Sequence, residues 1–594
     1  MSRTLTGSAL LRAVTLACVL ADIPTATAQP FPSGGSPNPA MTGTSTGTST
    51  GPSAARPSAP VAATAGTQDS TQDSPDPPAA TAPPARASAP PTPPPAIAPA
   101  PGAAPVVAPP PSNAAAPSNI PRAVTVARAT VIPRCTSFVD AAGAGAGTAQ
   151  SPHKTIAAAV AAAPPGAVIC VAEGVYAEQL KPGEKHFTLA GGFQRGSNFT
   201  VRDSARYVSK AQGRGGSFFR VQDTGPKDQL TAIDGFEITG YAQAIFRDYY
   251  ESQRFDIVNN YIHGNKCGDD LVGAGVWLNN VSGRVQGNVF RNNSCGRGGA
   301  LSVQDTEQKN TLLVANNLVD NNHGTEPVAS HGGALYLFGK TLTVTGNLMT
   351  NNSVTKWGAA LYVGAWTEGK LFTTATMSWN VYRGNKAGNG GGGLFCDEGA
   401  TCISEHEIYD RNCGSNVYLD GGSEDSGPTT ARISHMTNVG ALDPGCGAPG
   451  PGIRIDKNAG APDNYSITNS LFWGNAPGKD FAFACDVNCD ALKIVVTHSM
   501  VQTNYALLGK GKITFGSGIV APVDPLFAAP DQGDFHLKST AGRWTPGGYV
   551  QDPAMSPALA KADPASPSDK NPPRAGKRNE LGAYGNSGEA SNGQ

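Results

Sequence analysis

Several short stretches of this 594-residue chain carry the residue types that bond-breaking chemistry needs. "GDD" (268–270) sets Asp269 beside Asp270, "SHGG" (330–333) frames a histidine with small residues, and "RIDK" (454–457) holds both signs of charge. "QDT" occurs at 222–224 and 304–306, and "GRW" at 542–544. Proton transfer or nucleophilic attack needs two groups in separate roles, so carboxylates on neighbouring elements are the feature to look for. Nine residues after each of four recurring asparagines stand Asp269, Arg297, Glu326 and Lys356. Aligned along a groove, such alternating charges would suit an acidic polymer, with Asp269, Asp270 and Arg297 as candidate catalytic groups. As a solvated column they would be stacked surface ion pairs, each worth about 0–1 kcal/mol.

What positions these residues is a repeat. "GNVFRNN", "NNLVDNN" and "GNLMTNN" place their leading asparagines at Asn288, Asn317 and Asn347, and related stretches begin at Asn260, Asn380, Ser470 and Ser499. The apolar runs between them are three to six residues long, rich in Val, Ile, Leu and aromatics, and broken by Gly and Asn. Helical repeats of similar period need longer amphipathic runs, so these are short strands joined by turns. Strands that recur about every 30 residues and stack along an axis make a parallel β-helix, here expected to be right-handed. Asparagine suits its corners because it tolerates the left-handed backbone and its amide can bond along the stack.

A second stretch recurs between the asparagine motifs: "GVWL", "ALSV", "ALYL", "ALYV", "GLFC". Alternation puts Val276, Leu301, Leu335, Leu361 and Leu394 on one face with Leu278, Val303, Leu337, Val363 and Cys396. The other face receives Trp277, Ser302, Tyr336, Tyr362 and Phe395, with Phe338, Gln304, Asp305 and Asp397 beside them. An outward row of rings asks to be covered. A sugar chain could cover it, with rings under pyranose faces and polar neighbours on hydroxyls. So could a loop, 364–376 or 415–430, or a protein partner.

The gross numbers frame this domain. A net charge of −1 gives no electrostatic case for nucleic acid or an anionic membrane. Residues 1–28, with two early arginines, a short apolar stretch and Ala26-Thr27-Ala28, read as a secretory signal. Cys18 offers a lipid-attachment position, but Thr15 stands where such signals carry leucine. Residues 29–127 are a Pro/Ala/Ser/Thr-rich segment unable to bury a core, expected to be a disordered spacer. Residues 128–530 hold the β-helix, about a dozen coils and on the order of 60 Å long at about 4.8 Å per coil, and 531–594 a closing segment. No stretch after the signal reaches the roughly 20 apolar residues of a membrane span, and a monomer at the cell surface or secreted is expected.

Beyond Cys18 ten cysteines remain, an even number that suits disulfides in an exported chain. Cys267 and Cys295 each follow a leading asparagine by seven residues, so one strand spacing should separate them, within disulfide reach. Spacing also suggests Cys396–Cys402, Cys485–Cys489, Cys413–Cys446 and Cys135–Cys170. "CDVNC" (485–489) has no His or Cys pair nearby at zinc-ligand spacing, so no metal is expected.

An open solenoid needs end caps. Thr155 to Ala163 reads as a short helix with Ile156 and Val160 on one face, halted by Pro164-Pro165, and "AVICV" as the first strand. Ser151-Pro152, Thr155-Ile156, Pro165-Gly166, the strand Val168 to Val171 and Gly174-Val175-Tyr176-Ala177-Glu178 together resemble the opening of bacterial β-helix proteins of the pectin-lyase-like superfamily. "FTLAGGF" (187–193) and the closing run "DPLF…DFHL…SPAL…RNELGAYG" extend the resemblance over 135–585. It implies the fold and leaves the activity open, because that superfamily holds lyases, hydrolases, esterases and non-catalytic surface proteins. The esterase pattern lacks its second aspartate motif here and its arginine falls too late. The hydrolase echoes, "GDD", "SHGG" and "RIDK", stand too far apart. A lyase would need calcium, the one cofactor the resemblance raises. The expected function is presentation of a sheet face to polysaccharide or a cell-surface component, with a lyase or hydrolase acting on acidic glycans as the alternative.

Overall fold

The computed structural model describes residues 128–222, 229–248, 253–268, 272–306, 309–325, 331–339, 341–365, 372–423, 425–457, 460–476 and 479–593. The signal and spacer segments lie outside these residues, as do Asp269, Asp270 and Glu326.

Successive short strands join three long parallel sheets, of 14 (sheet A), 11 (sheet B) and 11 strands (sheet C) among the described residues, with a four-stranded sheet D at one corner. One coil shows the circuit: Val281–Gln286 in A, Val289–Arg291 in B, Ser294–Cys295 in D, Leu301–Gln304 in C. Each strand then pairs in register with its counterpart one coil on, as Val285 with Val314 and Val314 with Val344. The chain is a parallel β-helix. Its interior is the continuous apolar column that the alternation requires, with Val276, Leu278, Leu301, Leu335, Leu361 and Leu394 all fully buried.

The asparagines divide the corner between two residues. The residue before each ladder position takes the left-handed conformation, as Gly287 (φ 65°), Asn292 (φ 56°), Asn316 (φ 53°) and Asn321 (φ 54°) do. The asparagine that follows is buried and bonds along the axis. Asn288 Nδ2 donates to Ile257 O at 2.8 Å and to Asn317 Oδ1 at 3.1 Å, while its Oδ1 accepts from the Asn260 side chain at 3.1 Å. One ladder runs Asn260, Asn288, Asn317, Asn347, Asn380 and ends on Glu407; a second runs Asn265, Asn293, Asn322, Asn352, Asn385, Asn412. Backbone groups left open at a corner would cost on the order of 1–3 kcal/mol each if buried unpaired, and these amides satisfy them.

The cysteines pair as Cys135–Cys170, Cys267–Cys295, Cys396–Cys402, Cys413–Cys446 and Cys485–Cys489, the second with a Cα separation of 4.9 Å. At the first coil the helix Ile156–Ala162 is capped by Thr155, whose hydroxyl accepts from Ala158 N. Glu178 explains the last position of the Gly-x-Tyr-x-Glu run: its carboxylate accepts from Ile156 N at 2.9 Å and Ala157 N at 2.7 Å, at the helix end that favours an anion. After the last coil the chain folds back. Phe527, Phe535, Leu537, Leu559, Leu581 and Tyr584 pack on Val381, Ile408, Val439 and Leu471 of sheet B and on Met500, which bridges to Leu471.

Candidate functional site

Sheet C carries one outward column without interruption. Arg220, Phe246, Trp277, Ser302, Tyr336, Tyr362, Phe395, Tyr418 and Arg454 are in register on successive strands. Tyr336–Tyr362, Tyr362–Phe395 and Phe395–Tyr418 stack at 5.1, 5.2 and 4.7 Å between centroids. The column begins and ends on cation–π contacts, Arg220 over Phe246 at 4.2 Å and Arg454 over Tyr418 at 5.0 Å. Glycine makes room for it. A Cβ on Gly332 would lie 2.7 Å from the Tyr336 Cβ, and one on Gly358 2.9 Å from that of Tyr362.

These rings are not an open platform. Trp277 keeps 8 % of its surface, Tyr336 9 %, Tyr362 5 % and Phe395 3 %. The cover comes from a second column on the same coils. His331 stacks on Trp357 at 5.0 Å and meets Tyr362 edge-on at 5.0 Å, while Phe338 packs on Tyr336 at 4.7 Å. Trp357 and Phe338 are half-buried and form the accessible edge of the cluster. Of the polar neighbours, Gln304 is half-buried, and Asp305 turns inward to hold Asn310 N and Nδ2, both at 2.9 Å.

The alternating charge column is also misaligned. Buried Arg297 bridges to Val272 and lies in line with His331, which in turn pairs with Trp357, so Arg297 and Lys356 do not share one column. The loops between motifs differ in length, so counting from the asparagine loses the register before it reaches these positions. Asp269 and Asp270 lie outside the described residues.

Beside the rings the structure adds Asp420 and Asp456, which the sequence reading did not place there, to Asp397, which it did. Asp397, Asp420 and Asp456 each follow the in-register inward residues Cys396, Leu419 and Ile455, so three aspartates stand on consecutive coils. Three strands ending alike, "LFCD", "VYLD" and "IRID", are the signal that could have shown this. Tyr362 donates its hydroxyl to Asp397, Tyr418 donates to Asp456, and Arg454 donates to Asp456 at 2.8 Å. Asp420 is buried and its Oδ1 meets no hydrogen-bond partner among the described residues. Burial pushes the Asp397 carboxyl up to about 6. Burial and then Asp397 push the adjoining Glu398 up to about 8, and burial with Glu398, Asp397 and Asp456 around it raises Asp420 far above the carboxylate range. Like charges one strand spacing apart resist ionising together, so Asp420 and Glu398 keep their protons near neutrality beside Asp397.

Glu405, His406 and His435 also bring one donor atom each within 4.8 Å of one another. The two imidazoles stack face to face at 5.0 Å and 18°, so their in-plane lone pairs run parallel instead of converging on an ion.

Residues 139–363 match the family described as "Protein of unknown function (DUF1565)", and residues 464–562 match the family described as "Disaggregatase related". No curated protein matches the chain. Among solved structures, pectate lyase Pel9A aligns at 14 % identity over 76 % of this chain and 96 % of that one, with a TM-score of 0.28. On its own stacked, all-parallel sheets the chain is a parallel β-helix.

Proposed function

We propose that this is an exported or cell-surface β-helix protein that holds polysaccharide against the outer face of sheet C. The observation that carries the reading is the Asp397–Asp420–Asp456 ladder beside the arginine-capped ring column. Three carboxyls stacked in register oppose folding, and groups kept at such a cost mark functional sites. Half-buried Asp456 can meet sugar hydroxyls, while Trp357, Phe338 and Arg454 offer the ring and guanidinium surfaces beside it. The five disulfides fit an oxidising compartment. No helix among the described residues is long and apolar enough to cross a membrane.

A glycan array and pull-down with insoluble polysaccharides test the reading. Binding by the wild type that disappears in the Trp357→Ala, Phe338→Ala double variant supports it. Full binding by that variant removes sheet C from the function. These two are chosen over Tyr336 and Tyr362 because the tyrosines are buried and their loss would disturb the fold.

A second reading rests on Asp397 and Glu398, whose raised carboxyls suit general acid and base roles in glycan cleavage. New reducing ends or unsaturated products from acidic and neutral polysaccharides, with and without calcium, would establish it. A silent panel alongside positive binding would leave a binding protein.

A further inference from the structure

Lys457 closes the sheet C strand Ile453–Lys457, and Asp463 stands immediately before the sheet A strand Asn464–Thr468. Both side chains have zero exposure, and Lys457 Nζ lies 2.6 Å from Asp463 Oδ2. A fully buried ion pair gains little over an apolar pair unless its remaining valences are met. Here they are met in an unusual way. Asp463 Oδ1 accepts from two backbone amides, Gly422 N at 3.0 Å and Thr429 N at 2.8 Å. Nζ donates to Ala461 O and, at 3.4 Å, to Gly422 O. Oδ2 meets Nζ only as an ion-pair contact and accepts no hydrogen bond among the described residues.

Those contacts are the ones an amide would make. Its carbonyl oxygen, the former Oδ1, would keep both backbone donors, its N–H would keep a carbonyl acceptor, and two buried charges would vanish. The same pair of amides would stabilise negative charge developing on Oδ1 during attack, as an oxyanion hole does. Glu398 interacts electrostatically with both Asp463 and Lys457 and bonds Ser423. Its chain neighbours hold the residue whose amide holds Asp463: Gly399 N donates to Thr429 Oγ1 at 2.9 Å and Thr429 Oγ1 donates to Asp397 O at 3.4 Å. This sets Glu398, its carboxyl raised by burial, next to the reacting pair as a proton carrier.

We infer that Lys457 and Asp463 condense into an intramolecular amide that locks the connection between sheets C and A, with Glu398 carrying the protons. A proton passes from the ammonium to the carboxylate, leaving an amine and a carboxylic acid. The Nζ–Cγ bond forms, the Cγ–Oδ2 bond breaks, and Oδ2 departs as water with two of the ammonium's three protons. The third stays on the amide nitrogen. No oxidation state changes and no outside reagent is consumed. The adjacency of buried amine and acid, not the glycan reading, carries this inference.

Mass spectrometry of the full-length protein after reduction and alkylation tests it. The expected result is a peptide map short by one water, with fragmentation joining Lys457 to Asp463 and no tryptic cleavage after Lys457. Lys457→Met and Asp463→Ala return the remaining sequence to its full mass. Asp463→Asn yields the same linked product by loss of ammonia. Glu398→Gln, folded by far-ultraviolet circular dichroism, leaves the two residues unlinked. A wild-type map with every residue at full mass and cleavage after Lys457 overturns the inference, and linkage in Glu398→Gln as complete as in the wild type removes Glu398 from it.

Discussion

Asn380 donates its side-chain amide to the Glu407 carboxylate at 3.0 Å, where four preceding steps of the ladder pass the same bond from asparagine to asparagine. The carboxylate has no exposure, and burial pushes it up to about 8. A raised acid contributes fully below its unfolded value and loses that contribution as pH rises through its folded one. Glu407→Gln therefore leaves stability unchanged near pH 4 and raises it by about 3 kcal/mol at pH 7. Urea unfolding at the two pH values checks this; equal effects at both would place the cost elsewhere.

His406 and His435 have the opposite sign. Their rings stack under the returning C-terminal segment, with His406 Nδ1–H donating to Ala583 O at 3.0 Å. Burial lowers His406 to about 4 and His435 to about 3, with Glu405 and Lys570 also acting on His406 and His406 on His435. The unfolded chain takes up these protons first, near pH 6.5. Stability is whole above that pH and falls by about 3 kcal/mol for His406 alone as pH drops toward 4. Protection factors of the Leu581 and Ala583 amides should fall between pH 6.5 and 4.5, and His406→Gln should flatten that dependence.

Gly332 has φ +58°, and a Cβ there would lie 2.7 Å from the Tyr336 Cβ. Left-handed backbone costs a side chain about 1–2 kcal/mol, and overpacking adds a similar amount. Gly332→Ala should lower stability by about 2–4 kcal/mol and red-shift tyrosine and tryptophan emission as the ring column opens. An unchanged melting temperature would mean that the column tolerates local displacement.

Asp420 contributes a buried carboxyl between Asp397 and Asp456 with one oxygen unpartnered among the described residues. Asp420→Asn removes the need to keep that buried carboxyl protonated, so it should raise stability at pH 8 and leave it unchanged near pH 3. If the ladder touches glycan, the same change weakens binding or cleavage tenfold or more. A variant that gains stability and keeps full activity would assign the ladder a purely structural role.

Much of the fold was legible because a solenoid repeats its corner chemistry once per coil: the asparagines, the apolar alternation and the Thr155–Glu178 cap all depend on neighbours close in sequence or one period away. The outer face of sheet C was legible only as a set of residues. Its rings are in register as the alternation requires, yet His331 and Trp357, which cover them, come from a turn whose alignment depends on loops of unequal length. The same inequality hid the ladder, since Asp397, Asp420 and Asp456 are neighbours in space at irregular intervals in sequence.

Residues between Phe527 and Tyr584 lie across sheet B strands laid down earlier in synthesis, from Val381 to Leu471. Until they arrive, those coils present a greasy stripe to any other chain emerging nearby. Completion of the molecule is thus tied to its final segment, which acts as a clasp. A polypeptide halted before Phe527 would possess every coil of that stretch and still be prone to stick to its own kind.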